Sequence, residues 1–324
     1  MKFQILLLAV FGLLLAGCAS QGGQAADSGK LKVVASFYPM YDFAKNVGGD
    51  RVALSTIIPP GVEPHNFEPT PSTIRQIADA DILILNGAGL EHGWAHALIE
   101  GSGNAKLVVV EASSGIGLIA AEGHPHGEEE AGYENGTGAE AADEGHDHGE
   151  YDPHVWLSPK NAKAQAYAIR DAFIAADPEW KAYYEKNAAE FAAKLDSLDA
   201  EFRGVFSTCR KKDILISHAT LGYFCADYGC RQIPIEGISE EGEPSPAALA
   251  SIVDQARVNN VTTVYFESLI SPKSAQAIAG EIGGGVQVFN TIHGVTAEEQ
   301  ARGANYLSLM EENIGAIKAG LDCG

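Results

Sequence analysis

The sequence has few basic residues, no long hydrophobic run and no paired-cysteine metal motif. Lys and Arg number 22 against 43 Asp and Glu, and the resulting formal charge of −21 argues against nucleic acid as a partner. The apolar run at residues 5–15 is shorter than the roughly 20 residues that a membrane-spanning helix needs. No Cys-x-x-Cys pair occurs, which argues against a thiolate metal site. The 324 residues suffice for two domains, because one core rarely grows past roughly 250–300 residues.

The N-terminal segment is typical of an exported lipoprotein. Lys2 precedes the apolar run, which ends in Leu-Ala-Gly-Cys18, and this tetrad resembles the lipobox whose Cys is lipidated and becomes the new N-terminus. We therefore predict a signal peptide over residues 1–17, lipidation at Cys18 and a flexible tether over residues 18–30. The alternative is a plain signal peptide with a chance Cys. The lipoprotein would be extracytoplasmic and anchored to the cell membrane, in the periplasm or at the cell surface.

Four cysteines follow the predicted lipidation site. An exported protein meets a non-reducing environment, so disulfides are plausible. Four cysteines allow three pairings, and the sequence does not choose among them. They are Cys209, Cys225, Cys230 and Cys323.

Short apolar runs alternate with helical patterns through both halves of the chain. Continuous Val, Ile and Leu runs between helices are typical of parallel strands buried on both faces. The fold class expected is therefore α/β, with two Rossmann-like lobes built on parallel sheets. Strands are predicted at residues 31–35, 52–58, 81–85, 107–110, 214–216, 232–235, 261–266 and 286–289. Helices are predicted at residues 38–47, 71–80, around Trp94, and at 221–228, 246–258, 272–282 and 297–319.

One long helix is predicted between the lobes, at residues 178–206. Large apolar residues recur there at spacings of three and four, which places a single apolar stripe on a helix. No Gly or Pro interrupts the stripe before Gly204, so the helix would be a rigid connection roughly 40 Å long. The lobes would then occupy residues 31–177 and 207–324. The stripe consists of Trp180, Tyr184, Ala188, Phe191, Leu195, Leu198, Phe202 and Val205.

A mobile acidic loop is predicted at residues 122–150. Residues 122–152 carry eleven Asp or Glu and no Lys or Arg, and the loop has almost no large apolar residue to bury. Two His-x-His pairs in the loop indicate a weak, dispensable site for Zn²⁺, Cu²⁺ or Ni²⁺. The alternative is a solvated loop in which the histidines are incidental. The histidines concerned are His124, His126, His146 and His148.

Another pair, His92 and His96, is spaced to share one face of a helix. A zincin-type helix carries Glu directly after the first His, whereas Gly93 follows here, so the pattern does not indicate a peptidase. We predict that this pair lies at the surface or outside the ligand shell of a metal.

Four remaining histidines each lie at the end of a predicted strand or in the loop after one. Ligands of open α/β sheets bind beyond the carboxyl ends of the strands, and each lobe contributes two of these histidines. A single such His is more often a satisfied polar residue, but together they predict a four-coordinate nitrogen site in the cleft. Neutral imidazole suits Zn²⁺, whereas Mn²⁺ prefers oxygen ligands. The four are His65, His154, His218 and His293.

At these residues the chain resembles the metal-specific solute-binding proteins of ABC transporters, which take up zinc and manganese. The resemblance extends from residue 31 to the C-terminus, and the acidic His-rich loop is similar to that of zinc-transporting members. It implies two α/β lobes bridged by one rigid helix. It rests on Gly61-Val-Glu-Pro-His65, Asp152-Pro-His-Val-Trp-Leu-Ser-Pro159, Ser217-His-Ala-Thr-Leu-Gly-Tyr-Phe224, Gly237-Ile-Ser-Glu-Glu-Gly-Glu-Pro-Ser-Pro246 and Phe266-Glu-Ser.

The resemblance also implies a ligand set. His65, His154 and His218 match the first three metal ligands of the family. Manganese-preferring members often have Glu at the third position, so His218 favours Zn²⁺ as the transported ion, with Mn²⁺ as the alternative. The fourth ligand is usually Asp or Glu, but His293 stands at that position here. His293, Asn290 or a water molecule would complete the shell.

Three glutamates are candidates to orient the histidines from outside the ligand shell: Glu63, Glu68 and Glu267. Four neutral histidines would leave a +2 charge at the site, which is expected to weaken binding and to favour a nearby anion. Because metal ligands must be deprotonated, the affinity is expected to fall below about pH 6.

The resemblance implies extracytoplasmic Zn²⁺ capture and delivery to the membrane permease subunits of an ABC importer, by a monomer that is not an enzyme. One alternative is a zinc-dependent hydrolase, with three histidines and an open metal position. Another is an adhesin-like surface lipoprotein whose metal is structural. A structural zinc is needed for folding, whereas a carrier is folded when empty.

Overall fold

The computed structural model describes residues 29–121, 150–237 and 245–324 of the chain. The predicted signal peptide, Cys18 and nearly all of the tether lie outside the described residues. The four histidines of the acidic loop also lie outside them, as do residues 238–244 of one family motif. Among the described residues, no helix is long and apolar enough to cross a lipid bilayer.

The first lobe is built on a parallel sheet. Its strands are β1 Leu31–Ala35, β2 Val52–Thr56, β3 Ile82–Leu85 and β4 Val108–Glu111. They are hydrogen-bonded in the order β2-β1-β3-β4. All four residues of β3 are buried, which is why this strand is an uninterrupted Ile-Leu run. The helices are α1 Tyr38–Gly48, α2 Pro71–Ala78, α3 Ala95–Ser102 and α4 Pro159–Ala176.

A 28-residue helix, α5 Lys181–Thr208, connects the lobes. It packs against α1 and α4 of the first lobe and against the last helix of the second lobe, Tyr306–Gly320. The predicted apolar stripe is buried from Tyr184 to Val205. Trp180 departs from the prediction, because it ends the short 3-10 turn Pro178–Trp180 before α5 and remains 39% exposed.

The second lobe repeats the topology of the first. Its parallel strands are β5 Asp213–His218, β6 Arg231–Glu236, β7 Thr263–Phe266 and β8 Gly285–Val288. Their order is β6-β5-β7-β8, equivalent to that of the first sheet. The helices are α6 Gly222–Tyr228, α7 Pro246–Val258, α8 Lys273–Ile282, α9 Ala297–Ala301 and α10 Tyr306–Gly320. Two parallel α/β lobes joined by a long helix confirm the predicted fold class.

Two helix predictions need correction. The single helix predicted at residues 297–319 is divided into α9 and α10, because Gly303 adopts a left-handed backbone (φ 71°) and Asn305 caps a new helix. Helix α4 was not predicted at all. Only two of its six buried residues, Ile169 and Phe173, are large and apolar, so its apolar stripe is weak in the sequence; the other four are Pro159, Ala162, Gln165 and Ala166.

Buried polar contacts hold the lobes together at their interface. Trp156, which is fully buried, donates its indole N–H to the carbonyl of Thr291 across the interface (2.8 Å). Tyr306 Oη returns a hydrogen bond to the Trp156 carbonyl (2.6 Å). Tyr223 of the second lobe donates to the Asp152 carbonyl of the first (2.9 Å). These contacts favour small adjustments of the lobes over a wide opening.

The structure pairs two of the four cysteines whose pairing the sequence left open. Cys209, just after α5, is bonded to Cys323, at the C-terminal end of the chain. The bond joins residues 114 positions apart in the sequence, and the segment between them contains the whole second sheet. It therefore ties the end of the linking helix to the last residues of the second lobe.

Candidate metal centre

The four predicted histidines lie where the two sheets face each other. His218 is the last residue of β5, and His293 follows β8 in the same lobe. His65 lies in the connection from β2 to α2, and His154 directly precedes the 3-10 turn that leads into α4. In each sheet the strand order reverses beside the first strand of the lobe, which is where open α/β sheets bind ligands.

The imidazoles of these histidines form one cluster. Each ring offers a nitrogen, and the four nitrogens all lie within 4.8 Å of one another. The ring centroids of His65 and His154 are 5.1 Å apart, and those of His218 and His293 are 5.2 Å apart. His154, His218 and His293 are at most 2% exposed, while His65 is partly exposed. The cluster is thus a buried nitrogen site with one side, that of His65, nearest to solvent.

Carboxylates fix the orientation of the buried rings. Asp152 Oδ1 lies 2.7 Å from His154 Nδ1, and Glu267 Oε1 makes a short contact with His218 Nδ1. Glu267 Oε2 lies 3.2 Å from His293 Nδ1, and the Thr291 hydroxyl lies 2.9 Å from the same nitrogen. A carboxylate accepts hydrogen bonds but cannot donate them, so these Nδ1 atoms carry the protons. The lone pairs of the opposite Nε2 atoms are then available for a metal ion.

The nitrogens fit a tetrahedral metal ion. His65 Nε2 and His154 Nε2 are 3.0 Å apart, close to the separation of about 3.3 Å between two nitrogens bound at 2.0–2.1 Å to a tetrahedral Zn²⁺. His293 Nε2 is buried and has no hydrogen-bond partner within the described part of the chain. A buried polar atom without a partner is costly, and a metal ion would satisfy it.

Burial keeps two of the imidazoles neutral. Desolvation, together with repulsion from the other three histidines, lowers the pKa of His65 well below its usual value. Desolvation also lowers the pKa of His154 to about 4, although Asp152 opposes the shift. Neutral rings bind metal without first losing a proton. The onset of acid inhibition is therefore expected below the pH of about 6 inferred from the reference pKa of histidine.

The metal-stripped protein is expected to lose about 2–3 kcal/mol of unfolding free energy between pH 7 and pH 4.5 through His154 alone. The unfolded chain protonates this ring below about pH 6.5, whereas the folded chain does so only near pH 4, so acid favours unfolding in that window. Urea unfolding at both pH values measures the loss, and His154→Gln should reduce it. The exposed His96→Gln is the control. Equal losses in the wild type and His154→Gln would contradict the assignment.

Of the other residues singled out in the sequence, one borders the cluster and three lie at the surface. Glu63 Oε2 lies 3.9 Å from His293 Nδ1, so Glu63 borders the cluster. Glu68 is exposed, and both His92 and His96 are exposed, as predicted for a surface pair.

The sequence reading missed three residues at the site: Asp152, Ser217 and Thr291. Asp152 lies two residues before His154, a position that suits a carboxylate orienting the ring, but the sequence pattern assigned it no role. Ser217 and Thr291 donate hydrogen bonds to Glu267 (2.7 and 2.6 Å). No spacing rule identifies such hydroxyls, because their partner is distant in the sequence.

Two parallel α/β lobes, a rigid connecting helix and an interlobe histidine cluster define the metal-binding solute-binding proteins of ABC transporters. The chain matches the family model ZnuA, described as "Zinc-uptake complex component A periplasmic", over residues 33–320. The chain belongs to this family, which confirms the predicted resemblance.

Individual relatives agree with this assignment. The chain is 38% identical over 320 residues to the "High-affinity zinc uptake system protein ZnuA" of Bacillus subtilis, covering 98% of this chain and 97% of that protein. It is 36% identical to the "Zinc-binding lipoprotein AdcA" of Streptococcus pneumoniae, of which it spans only 61%. The solved Zn(II)-bound ZnuA-like domain of S. pneumoniae AdcA is 33% identical with a TM-score of 0.74, and the match covers 91% of this chain and 100% of that domain.

Proposed function

We propose that this protein captures Zn²⁺ outside the cytoplasm and delivers it to an ABC importer. The observation that carries the proposal is the convergence of four imidazoles, two from each lobe, with their nitrogens within 4.8 Å of one another. Zinc-uptake relatives and a Zn(II)-bound solved structure support it. The family is one of solute-binding transport proteins, and we propose that this member catalyses no reaction.

The proposed ligands are His65, His154, His218 and His293. Asn290, the alternative fourth ligand, has its side chain engaged elsewhere. Its Nδ2 donates to Glu299 Oε1 (2.6 Å), and its Oδ1 accepts the N–H of Ile292 (2.9 Å). Asn290 therefore shapes the loop that presents His293 and is not free to bind the ion itself.

Two carboxylates would balance the charge of the ion. Asp152 and Glu267 are buried and contact three of the four rings from the side opposite the cluster. Burial alone would raise the pKa of Glu267, but His218 and His293 lower it well below its usual value, so Glu267 is ionised. A Zn²⁺ ion with two outer carboxylates has no net charge. The external anion suggested by the sequence is then unnecessary.

The ligand atoms of the site distinguish zinc capture from two of the three alternative functions. An all-nitrogen shell disfavours a manganese carrier, because Mn²⁺ prefers oxygen ligands. A catalytic zinc usually keeps one position open for water, whereas His293 supplies a fourth protein ligand here. A structural zinc in an adhesin-like lipoprotein would be required for folding, and this difference is measurable.

The proposal includes the cellular setting. Relatives named as lipoproteins support lipid anchoring at Cys18, with the two lobes outside the cytoplasm. We propose that a monomer docks across both lobes onto the permease subunits of the importer, and that docking opens the site through small shifts of the loops and lobes and releases the ion.

Calorimetric titration of metal-stripped protein, from Ser20 onward, tests the proposal. One tight Zn²⁺ site, weak Mn²⁺ binding and a cooperative unfolding transition without metal are the expected results. Zinc at 1,000 times its dissociation constant should then add about 4 kcal/mol of stability. Equal affinity for Mn²⁺ would contradict the choice of metal. Loss of the transition in the stripped protein would identify a structural zinc instead.

Deletion of residues 124–149 is expected to leave the tight site unchanged. The four clustered histidines all lie outside this segment, and the segment carries only the two predicted weak His-x-His pairs. Titration should show the same zinc dissociation constant and fewer weakly bound ions. A large loss of affinity at the tight site would show that the segment supplies a ligand.

A further inference from the structure

In the first lobe, a buried asparagine and a buried glutamate hold the chain beside His154. Asn86, which follows β3, donates its side-chain amide to the carbonyl of Pro153 (2.9 Å), the residue before His154. Glu91 accepts the N–H groups of Asn86 (2.7 Å) and Gly87 (3.0 Å). Asn86 is fully buried and Glu91 is 3% exposed. The pair thus connects the end of a central strand to the backbone of a proposed ligand.

The second lobe contains an equivalent pair beside His293. Asn290 follows β8, accepts the N–H of Ile292 and donates to Glu299 (2.6 Å). Glu299 also accepts the N–H of Thr296 (2.7 Å), which closes the turn after His293. Both side chains are buried. Each lobe therefore has an Asn after a strand and a Glu that accepts a hydrogen bond from it, through the Asn86 backbone in the first lobe and the Asn290 side chain in the second. In each lobe the residue that precedes a proposed zinc ligand is hydrogen-bonded to the Asn side chain.

Both loops contain a strained backbone. Ala88 (φ 53°) and Ile292 (φ 57°) are two of the four non-glycine residues with left-handed backbone in the described chain. Such a conformation is unfavourable for a β-branched residue and persists only where the surroundings impose it. At Ile292, the hydrogen bond from its own N–H to Asn290 is one of the contacts that impose it.

We infer that these two Asn–Glu pairs are positioning clamps that preorganise the zinc site, one in each lobe. The inference rests on the proposed function. Within the described part of the chain the clamps make no hydrogen bond to an imidazole. They act by fixing Pro153 and Ile292, the residues that directly precede His154 and His293. Without them the backbone before His154 and His293 would be less well fixed, and the two imidazoles would have to be ordered at the expense of zinc affinity.

Asn86→Ala and Glu299→Ala test one clamp each. Each variant is expected to raise the zinc dissociation constant about 10–100-fold, the usual cost of losing a group that orients a metal ligand. Co²⁺ loaded in place of zinc should show weaker and shifted tetrahedral absorption bands. If either variant fails to unfold cooperatively, Glu91→Gln or Glu299→Gln, which keep the side-chain volume, replaces it.

Asn104→Ala is the matched control. Asn104 also donates to two backbone carbonyls, those of Ile77 and Ala80 (3.1 and 2.7 Å), but at the opposite end of β3 from the cluster. It should lower the urea midpoint without changing zinc affinity or the Co²⁺ bands. If the clamp variants keep the zinc affinity and Co²⁺ bands of a wild type that binds zinc tightly, as Asn104→Ala should, the inference about the clamps is wrong and the proposed function stands. A wild type without a tight zinc site would overturn the proposed function and the clamps with it.

Discussion

Replacing His293 with Ala is expected to raise the zinc dissociation constant about 100–1,000-fold. Four-ligand structural zinc sites bind with roughly 10–16 kcal/mol, or about 2.5–4 kcal/mol for each ligand, and each 1.4 kcal/mol is a factor of ten. His293 Nε2 is buried and lacks a hydrogen-bond partner within the described residues, so removal of the ring breaks no other bond of that atom. Calorimetric titration of the stripped variant measures the change.

The control for this loss is another histidine. His96 has a side chain that is 83% exposed, and His96→Ala should leave the zinc affinity unchanged. A further variant, Asn290→Asp, separates the candidates for the fourth ligand. Asp at 290 could bind metal, but it loses the amide donor to Glu299 and is expected to weaken binding. Unchanged affinity in His293→Ala would show that water or another residue is the fourth ligand.

Much of the fold could be predicted from the sequence because the hydrophobic patterns that indicate each element are local. The continuous Ile-Leu run indicates the buried strand β3, and the apolar spacing of three and four indicates the helix α5. Both elements are present in the structure. Helix α4 was missed because its buried face carries only two large apolar residues, Ile169 and Phe173, and the burial of that face depends on the neighbouring α1 and α5. The position of α4 therefore follows from its packing against these helices more than from an apolar pattern in its own sequence.

The metal site was partly predictable for a related reason. Strand ends of parallel sheets gather at one edge, so His218 and His293 could be placed from the strand pattern. The residues that orient the rings are different, since Thr291 and Ser217 reach Glu267 only through the packing of three strand ends. The left-handed backbone at Ile292 was equally hidden, because isoleucine normally avoids it.

Glu267 shows most clearly how much of the site lies outside the ligands. Its two carboxylate oxygens accept four hydrogen bonds or close contacts, from Ser217, His218, Thr291 and His293. One side chain therefore fixes the tautomers of both ligands from the second lobe. It also places a negative charge beside them, as Asp152 does for His154 in the first lobe.

Glu267→Gln is accordingly expected to raise the zinc dissociation constant roughly 100- to 10,000-fold, since each of two ligands loses an orienting partner worth 10–100-fold. The amide has one acceptor oxygen, and its NH₂ group would face an Nδ1–H. That imidazole would move its proton to Nε2, the atom that must bind the ion. Calorimetry measures the affinity, and ¹⁵N chemical shifts of the imidazoles report the tautomers of the stripped protein.

Two variants make this prediction specific. Glu68→Gln removes an exposed glutamate and should change neither affinity nor tautomers. Ser217→Ala removes one hydrogen bond to Glu267 but keeps its charge, and a loss of about tenfold or less is expected. If Glu267→Gln binds zinc like the wild type while His293→Ala does not, the ligand set stands. The outer carboxylate would then orient nothing that zinc binding requires, and the charge of the ion would have to be balanced by Asp152 and solvent.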